Sequence, residues 1–111
     1  MREGAARPSV TNIDTREGWE QDEETGGLVN LILESDAVTV GLWKPNSAAG
    51  SRIEYKLDAD ETLVVLRGSG EVRVDGGEPI QLRPGMVVTL PCGCELSWLV
   101  DADFRELWIY T

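Results

Sequence analysis

Histidine is absent from this chain of 111 residues, which also has only two cysteines. Histidine is the commonest metal ligand and the side chain that titrates most readily near neutral pH. Without it, neither cysteine has the usual partner that activates a thiol for nucleophilic attack. We therefore expect a site that works without histidine ligands and without a histidine-activated nucleophile.

Basic residues are also scarce, because 10 lysines and arginines face 20 aspartates and glutamates and leave a net charge of −10. This balance disfavours nucleic acids and anionic membrane surfaces, which both require clustered positive charge. No apolar run approaches the roughly 20 residues of a membrane span. The segment Met1–Pro8 has no apolar core of the kind that a secretory signal requires. We therefore predict a cytoplasmic protein with no nucleic-acid or membrane partner.

The two cysteines, Cys92 and Cys94, are separated by a single residue. A disulfide across so short a gap would be strained. We interpret them as free thiols in a reducing compartment, which agrees with a cytoplasmic location.

The length and composition predict one domain with one modest core, since 41% of the residues are hydrophobic. We expect residues 1–27 to form an N-terminal arm and loop, and residues 28–111 to form the folded domain. Within the arm, the acidic run in residues 17–24 is interpreted as a solvated loop.

Short runs rich in β-branched residues alternate with glycine, proline and aspartate turns along the rest of the chain. No stretch has a sustained helical period, and the pattern predicts an all-β sandwich or barrel. Segment 52–57 alternates without a break, which predicts that Ile53, Tyr55 and Leu57 face inward. The predicted strands are 28–34, 37–43, 52–57, 62–66, 71–74, 79–82, 86–90, 95–100 and 104–110.

Two hairpins are predicted from the turn residues. Strands 62–66 and 71–74 are expected to pair through Gly68-Ser69-Gly70, and the sequence Asp75-Gly76-Gly77 predicts a second hairpin turn.

Two spacings in the chain resemble the two motifs of the cupin superfamily. Glu61 and Gly68 match the end of the first motif, and Gly85, Pro91 and Gly93 match the second. The flanking residues resemble the ureidoglycine aminohydrolase-type subfamily, which includes the ethanolamine-utilisation cupins; they are 41–43, 61–62, 65–68, 91–93, Trp98 and 104–105. The resemblance implies a single-domain, double-stranded β-helix, or jelly-roll barrel.

Metal-binding cupins hold a divalent ion with three histidines and the first-motif glutamate. Carried over to this sequence, the four ligand positions become Tyr55, Leu57, Glu61 and Leu96. If the spacing between the first-motif histidines and Glu61 is counted one residue longer, Glu54 and Lys56 replace Tyr55 and Leu57. One carboxylate and one phenol do not form a tight site. We therefore predict no metal and no cofactor, with a makeshift Glu61–Cys94 site as a lesser alternative.

Glu61 is the predicted centre of whatever site remains. A carboxylate in an apolar barrel has its pKa raised by desolvation and is suited to general acid or base chemistry. The structural alternative is that Glu61 is held by hydrogen bonds to the backbone, Tyr55 or Arg52. Predicted ligand-binding residues are Trp43, Tyr55, Glu61, Leu96, Trp98 and Arg105. The aromatic members alternatively fill the core, and the lysine that the subfamily usually has after Arg105 is Glu106 here.

These features predict a homodimeric module that binds a small organic molecule, with an amine or cation suited to the aromatic walls, or that has a structural role. The alternative is a metal-independent enzyme that uses Glu61 as its acid or base. Its chemistry would be aminohydrolase- or isomerase-like, or would resemble the histidine-poor nucleoside phosphorylases of the cupin superfamily.

Overall fold

A computed structural model describes residues 8–46 and 51–111, and these residues form ten β-strands and no helix. The strand bounds are β1 Glu20–Gln21, β2 Leu28–Glu34, β3 Thr39–Lys44, β4 Ser51–Lys56, β5 Glu61–Arg67, β6 Gly70–Val74, β7 Ile80–Leu82, β8 Val87–Leu90, β9 Glu95–Val100 and β10 Arg105–Tyr110.

The strands form two antiparallel sheets, with the orders β1-β2-β3-β10-β5-β8 and β4-β9-β6-β7. Four of the strand pairs are nested in the chain: β6 pairs with β7, β5 with β8, β4 with β9, and β3 with β10. This arrangement is a jelly roll, in which a long hairpin is folded over so that its strands distribute between two facing sheets. The predicted all-β architecture is confirmed.

The predicted hairpin between strands 62–66 and 71–74 is wrong, because β5 and β6 lie in different sheets. Gly68 takes a φ of 78° directly after β5, and a side chain there would overlap the backbone of Phe104. The two glycines therefore mark a crossing between sheets and not a tight turn within one sheet. The second hairpin is confirmed, since β6 and β7 pair through Asp75 and Gly76, which both have positive φ.

The space between the sheets is filled largely by aliphatic side chains from the middle of the chain. We call this group the aliphatic core. Its members are 0–4% exposed and are contributed mainly by β5 to β9; they are Leu57, Leu63, Val65, Val72, Leu82, Leu90, Leu96 and Val100. Leu57 and Ile53 are buried as the alternation of segment 52–57 predicted.

Residues 8–19 contain no strand and lie against the larger sheet. The side-chain amide of Asn30 donates to the Glu17 carbonyl at 2.9 Å, and Arg67 forms an ion pair with Asp14 at 2.7 Å. The first seven residues of the predicted arm and residues 47–50 of the loop before β4 lie outside the described residues. No helix in the described chain is long and apolar enough to cross a membrane.

Candidate functional site

A cavity of about 360 Å³ lies between the two sheets, beside the aliphatic core. Its lining runs from fully buried side chains to the exposed Glu24, Leu31 and Glu34, so the cavity connects the interior to the surface. The lining is aromatic and acidic, and among the described residues it contains no lysine or arginine. The lining residues are Asp22, Glu24, Thr25, Val29, Leu31, Glu34, Thr39, Trp43, Ile53, Tyr55, Glu61, Trp98, Phe104, Glu106, Trp108 and Tyr110.

Six aromatic side chains form the walls, and strand alternation explains why they meet there. Trp108 and Tyr110 follow Glu106 at two-residue intervals on β10, which points all three side chains to the same face of the sheet. The rings of Trp108 and Tyr110 have centroids 4.7 Å apart at 41°. Trp43 packs edge-on against Phe104, with centroids 6.2 Å apart at 64°.

Two glycines fix the positions of two of the indole rings. A methyl group at Gly27 would overlap the Trp43 ring, and one at Gly41 would overlap the Trp108 ring. The Trp43 indole N–H also donates to the Thr25 hydroxyl at 2.9 Å. Each indole therefore lies directly against a neighbouring backbone and is not free to shift toward it.

Two buried carboxyl groups face the cavity, from Glu61 on β5 and Glu106 on β10. The two residues are only 3% and 6% exposed. Oε1 of Glu61, Oε2 of Glu106 and the indole Nε1 of Trp98 are buried and have no hydrogen-bond partner within the described residues. The Trp98 N–H approaches the Tyr55 phenol without hydrogen-bonding it. Buried polar groups in native proteins are nearly always paired, so three unpaired atoms on one cavity are exceptional.

Burial changes the acidity of these groups. Desolvation raises the pKa of Glu61 to about 7. Desolvation and the nearby Glu61 charge together raise the pKa of Glu106 well above its ordinary value. Burial and the same carboxylates also raise the pKa of Tyr55 and of Tyr110, so both phenols stay protonated. Near neutral pH, Glu61 therefore exchanges a proton readily, and burial beside Glu61 makes Glu106 a weaker acid than an exposed glutamate.

The structure brings four of the six predicted ligand-binding residues together, since Trp43, Tyr55, Glu61 and Trp98 all line the cavity. Leu96 is 2% exposed in the aliphatic core and does not line it. Arg105 points away from the cavity, and its guanidinium donates to the Phe104 carbonyl at 2.8 Å.

Sequence reasoning did not select Glu106, Trp108 and Tyr110 as site residues. Their two-residue spacing carried the signal, but Leu107 and Ile109 are equally apolar and left the inward face of the strand ambiguous. The acidic run was interpreted as a solvated loop, yet Asp22 and Glu24 lie at the cavity rim. The Asp22 carboxylate accepts a hydrogen bond from Thr25 at 2.6 Å, which ties this loop to the Trp43 wall.

The residues present do not fit the metal ion of the histidine-containing cupins. Two of the corresponding positions are Leu57 and Leu96, which are each 2% exposed and offer no ligand atom. Nowhere in the described ranges do three or more histidine, cysteine, aspartate or glutamate side chains cluster closely enough to hold a metal. Cys92 and Cys94 are free thiols, and Cys94 is buried without lining the cavity. The Arg52 guanidinium donates a hydrogen bond to the Ser97 hydroxyl at 3.3 Å and not to Glu61.

The jelly roll, the inward first-motif glutamate and the cavity between the sheets together define a cupin domain. A family model described as the EutQ-like cupin domain matches residues 33–106, and the chain belongs to this family. The comparisons do not separate the ureidoglycine aminohydrolase-type subfamily from the rest of the superfamily.

Solved structures show the same fold at low sequence identity. A cupin superfamily protein from Desulfitobacterium hafniense is 23% identical, covers 82% of each chain and has a TM-score of 0.66. A protein described as ethanolamine utilization protein Q, from Salmonella typhimurium, is 18% identical over 96% of this chain and 97% of that one, with a TM-score of 0.73. KdgF from a Halomonas species is 18% identical over 93% of each chain, with a TM-score of 0.73. No curated protein matches this sequence.

Proposed function

We propose that this chain is a metal-independent cupin that binds a small organic molecule in the cavity beside Glu61. The observation that carries the proposal is the presence of three unpaired buried polar atoms on the wall of a cavity of about 360 Å³. Ligand pockets in proteins commonly have this size and combine apolar walls with a few converging polar groups.

The main alternative is a purely structural domain, and the cavity argues against it. A small barrel with only a structural role would fill its interior with side chains, as the aliphatic core does. Each unpaired buried polar group costs about 1–3 kcal/mol of stability when nothing satisfies it. A ligand that pairs with these atoms would explain why polar groups occupy positions that leucine or phenylalanine would stabilise.

The test uses a pair of matched variants on β2. Leu31 and Leu33 are 49% and 50% exposed, but only Leu31 lines the cavity. We expect Leu31→Trp to obstruct the mouth and Leu33→Trp to leave it open, with little effect of either on folding.

The wild-type protein is screened against a library of small metabolites by ligand-detected NMR, and hits are repeated on both variants. Binding that Leu31→Trp abolishes and Leu33→Trp preserves would support the proposal. A library without hits, or hits that bind equally to both variants, would contradict the proposal and favour a structural role for the domain.

A second candidate function is catalysis by Glu61 as a general acid or base. The supporting observation is its pKa of about 7, which places the carboxyl where it can both take and give a proton near neutral pH. An aminohydrolase- or isomerase-like reaction fits such a group. Phosphorolysis fits less well, because the described lining contains no cationic side chain to hold phosphate.

To test this candidate, the hits from the library screen are incubated with wild-type protein and with Glu61→Gln, and mass spectrometry detects any product. Loss of product formation in the variant, at a concentration of the hit that saturates it, would support this candidate. Incubation with uridine or inosine and phosphate should release no free base.

We also propose that the protein is a cytoplasmic homodimer. Support for the dimer comes from half-buried aliphatic side chains on the outer face of the larger sheet, which include Val64, Leu107 and Ile109. The free thiols support the location. A monomer in sedimentation experiments at high micromolar concentration would contradict the dimer.

A further inference from the structure

We infer that the ligand is a small organic cation with at least two N–H donors, such as a protonated amine, amidine or guanidine, held by Glu61 and Glu106 within the aromatic walls. This inference rests on the proposed function, because it names the chemical class that the same cavity selects.

The charge of the lining supports a cation. Five acidic residues face the cavity, and the described lining offers no basic side chain to balance them. Three of them, Asp22, Glu24 and Glu34, lie toward the rim, and two lie buried. A cavity lined by one sign of charge with low-dielectric walls concentrates ions of the opposite sign. An anion entering here would lose its hydration and be repelled by the carboxylates.

The unpaired atoms support a ligand that donates more than one hydrogen bond. Oε1 of Glu61 and Oε2 of Glu106 are acceptors that no group in residues 8–46 and 51–111 satisfies, so these two atoms are not bonded to each other. In the register of the larger sheet, Glu61 lies opposite Tyr110 and Glu106 lies opposite Val65. The two backbones are thus about 13 Å apart along the strands, at about 3.3 Å per residue. Both side chains line the same cavity and the Glu61 charge acts on Glu106, so a ligand that spans the cavity with two N–H donors can bond both carboxyls.

The walls support the same class of ligand. The rings of Trp43, Trp98 and Trp108 line the same cavity as the two carboxyls, and an indole face attracts a cation by roughly 0.5–2 kcal/mol. The unpaired Trp98 N–H offers one donor to an oxygen of the ligand. Because Gly27 and Gly41 hold two of the rings against the backbone, these contacts are available without rearrangement.

Three isosteric probes test the inference: benzamidine, benzamide and benzoate, which are cationic, neutral and anionic at about pH 8. This pH is above the Glu61 pKa of about 7. Isothermal titration should show benzamidinium binding at least about tenfold more tightly than benzamide, a difference of about 1.4 kcal/mol. Benzoate should not bind. As the pH falls below about 7, affinity for benzamidinium should fall by about tenfold per unit, because a proton competes with the ligand for Glu61.

Glu61→Gln and Glu106→Gln test the two carboxyls, and Glu54→Gln is the matched control. Glu54 is exposed on β4 and does not line the cavity, so its substitution changes the net charge equally. We expect each cavity variant to lose most of the preference for benzamidinium over benzamide, and the control to keep it. Thermal melts verify that the variants are folded; replacing a buried carboxyl by an amide removes a desolvation cost, so the cavity variants should not be less stable.

Two results would overturn the inference. Benzamide binding as tightly as benzamidinium would exclude cation selection while leaving the proposed function intact, provided that Leu31→Trp blocks that binding. Failure of benzamidinium to bind folded wild-type protein in the millimolar range would also overturn it. The library screen with the Leu31→Trp and Leu33→Trp pair then decides the proposed function separately.

Discussion

The aliphatic core and the cavity wall are built on the same strand alternation but from different side chains. The core comes from β5 to β9 and consists of leucine and valine. The wall comes mainly from β2, β3, β4 and β10, and most of its side chains are aromatic rings and carboxyls. Both groups point inward, so orientation does not distinguish them. The difference lies in residue type, and Trp43, Trp98, Phe104 and Trp108 connect the two groups because they pack in the same buried cluster as the aliphatic side chains.

This comparison teaches where stability and function lie in the molecule. The core contributes apolar burial, since its members are at most 4% exposed and pack in one cluster. The wall sacrifices part of that stabilisation, because Glu61 and Glu106 lose hydration without gaining a protein partner for one oxygen each. The following predictions compare the two regions directly.

The largest effect is expected in the aliphatic core. Leu63 is 0% exposed, and Leu63→Ala should lower the free energy of unfolding by about 2–5 kcal/mol, because transfer energy is lost and a new void opens. Urea denaturation monitored by circular dichroism measures the change. A loss below about 1 kcal/mol would mean that the core is loosely packed and that the contrast between the regions is false.

Glu61→Gln should have the opposite sign at neutral pH and above. The folded pKa of Glu61 is about 7 against an ordinary value of 4.5, so the unfolded chain gives up this proton first as pH rises. The destabilisation of the fold by Glu61 therefore grows from about pH 4.5 to about pH 7 and remains at its full value, about 3 kcal/mol, at higher pH.

Denaturation of both proteins across this pH range gives the difference in stability. The two should be similar below about pH 4.5, and the variant should be the more stable above about pH 7. A wild-type protein that remains more stable than the variant at high pH would show that Glu61 is paired and not merely desolvated.

Gly41→Ala tests whether the Trp108 ring in the cavity wall is packed as tightly as the side chains of the aliphatic core. The added methyl group would overlap the Trp108 ring, so we expect a loss of about 1–3 kcal/mol and altered tryptophan fluorescence. Thr39→Ala, on the same face of β3, is the control and should cost less. If the ring rotates freely into the cavity, stability would hardly change, and the wall would be deformable.

The smallest effect is expected for Leu31→Ala at the cavity mouth. This substitution removes the same atoms as Leu63→Ala, but Leu31 is 49% exposed and the loss should stay below about 1 kcal/mol. Thermal unfolding of the two variants, measured side by side, compares their losses of stability. Equal losses would show that the mouth is packed as the core is.

The sequence predicted the strands and the inward faces well where apolar and polar residues alternate without interruption. Segment 52–57 is such a case, and Tyr55 lies at the cavity, as the alternation of this segment predicted. The pairing of the strands is harder to predict from the sequence, because a glycine-rich link such as Gly68–Gly70 permits either a hairpin or a crossing between sheets. Only contacts with the distant Phe104 backbone distinguish the two.

The site was predictable in part. Glu61 and three aromatic residues followed from motif spacing and alternation, but Glu106 requires knowing which face of β10 is inward. That strand is apolar on both faces, since one face meets the cavity and the other carries Leu107 and Ile109. The rim carboxylates of Asp22 and Glu24 reach the cavity through the fold of a loop, which no local pattern encodes.

The nesting of the strand pairs has a consequence for how the protein folds. The β6–β7 pair closes a short turn, whereas β3 and β10 must join segments separated by most of the chain. Long loops close at greater entropic cost and topologies rich in distant pairs fold slowly, in milliseconds to seconds. Assembly that begins at the Asp75–Gly76 turn and proceeds outward would complete the aliphatic core first. The walls that recognise the ligand would then be the last part of the molecule to form and the first to open.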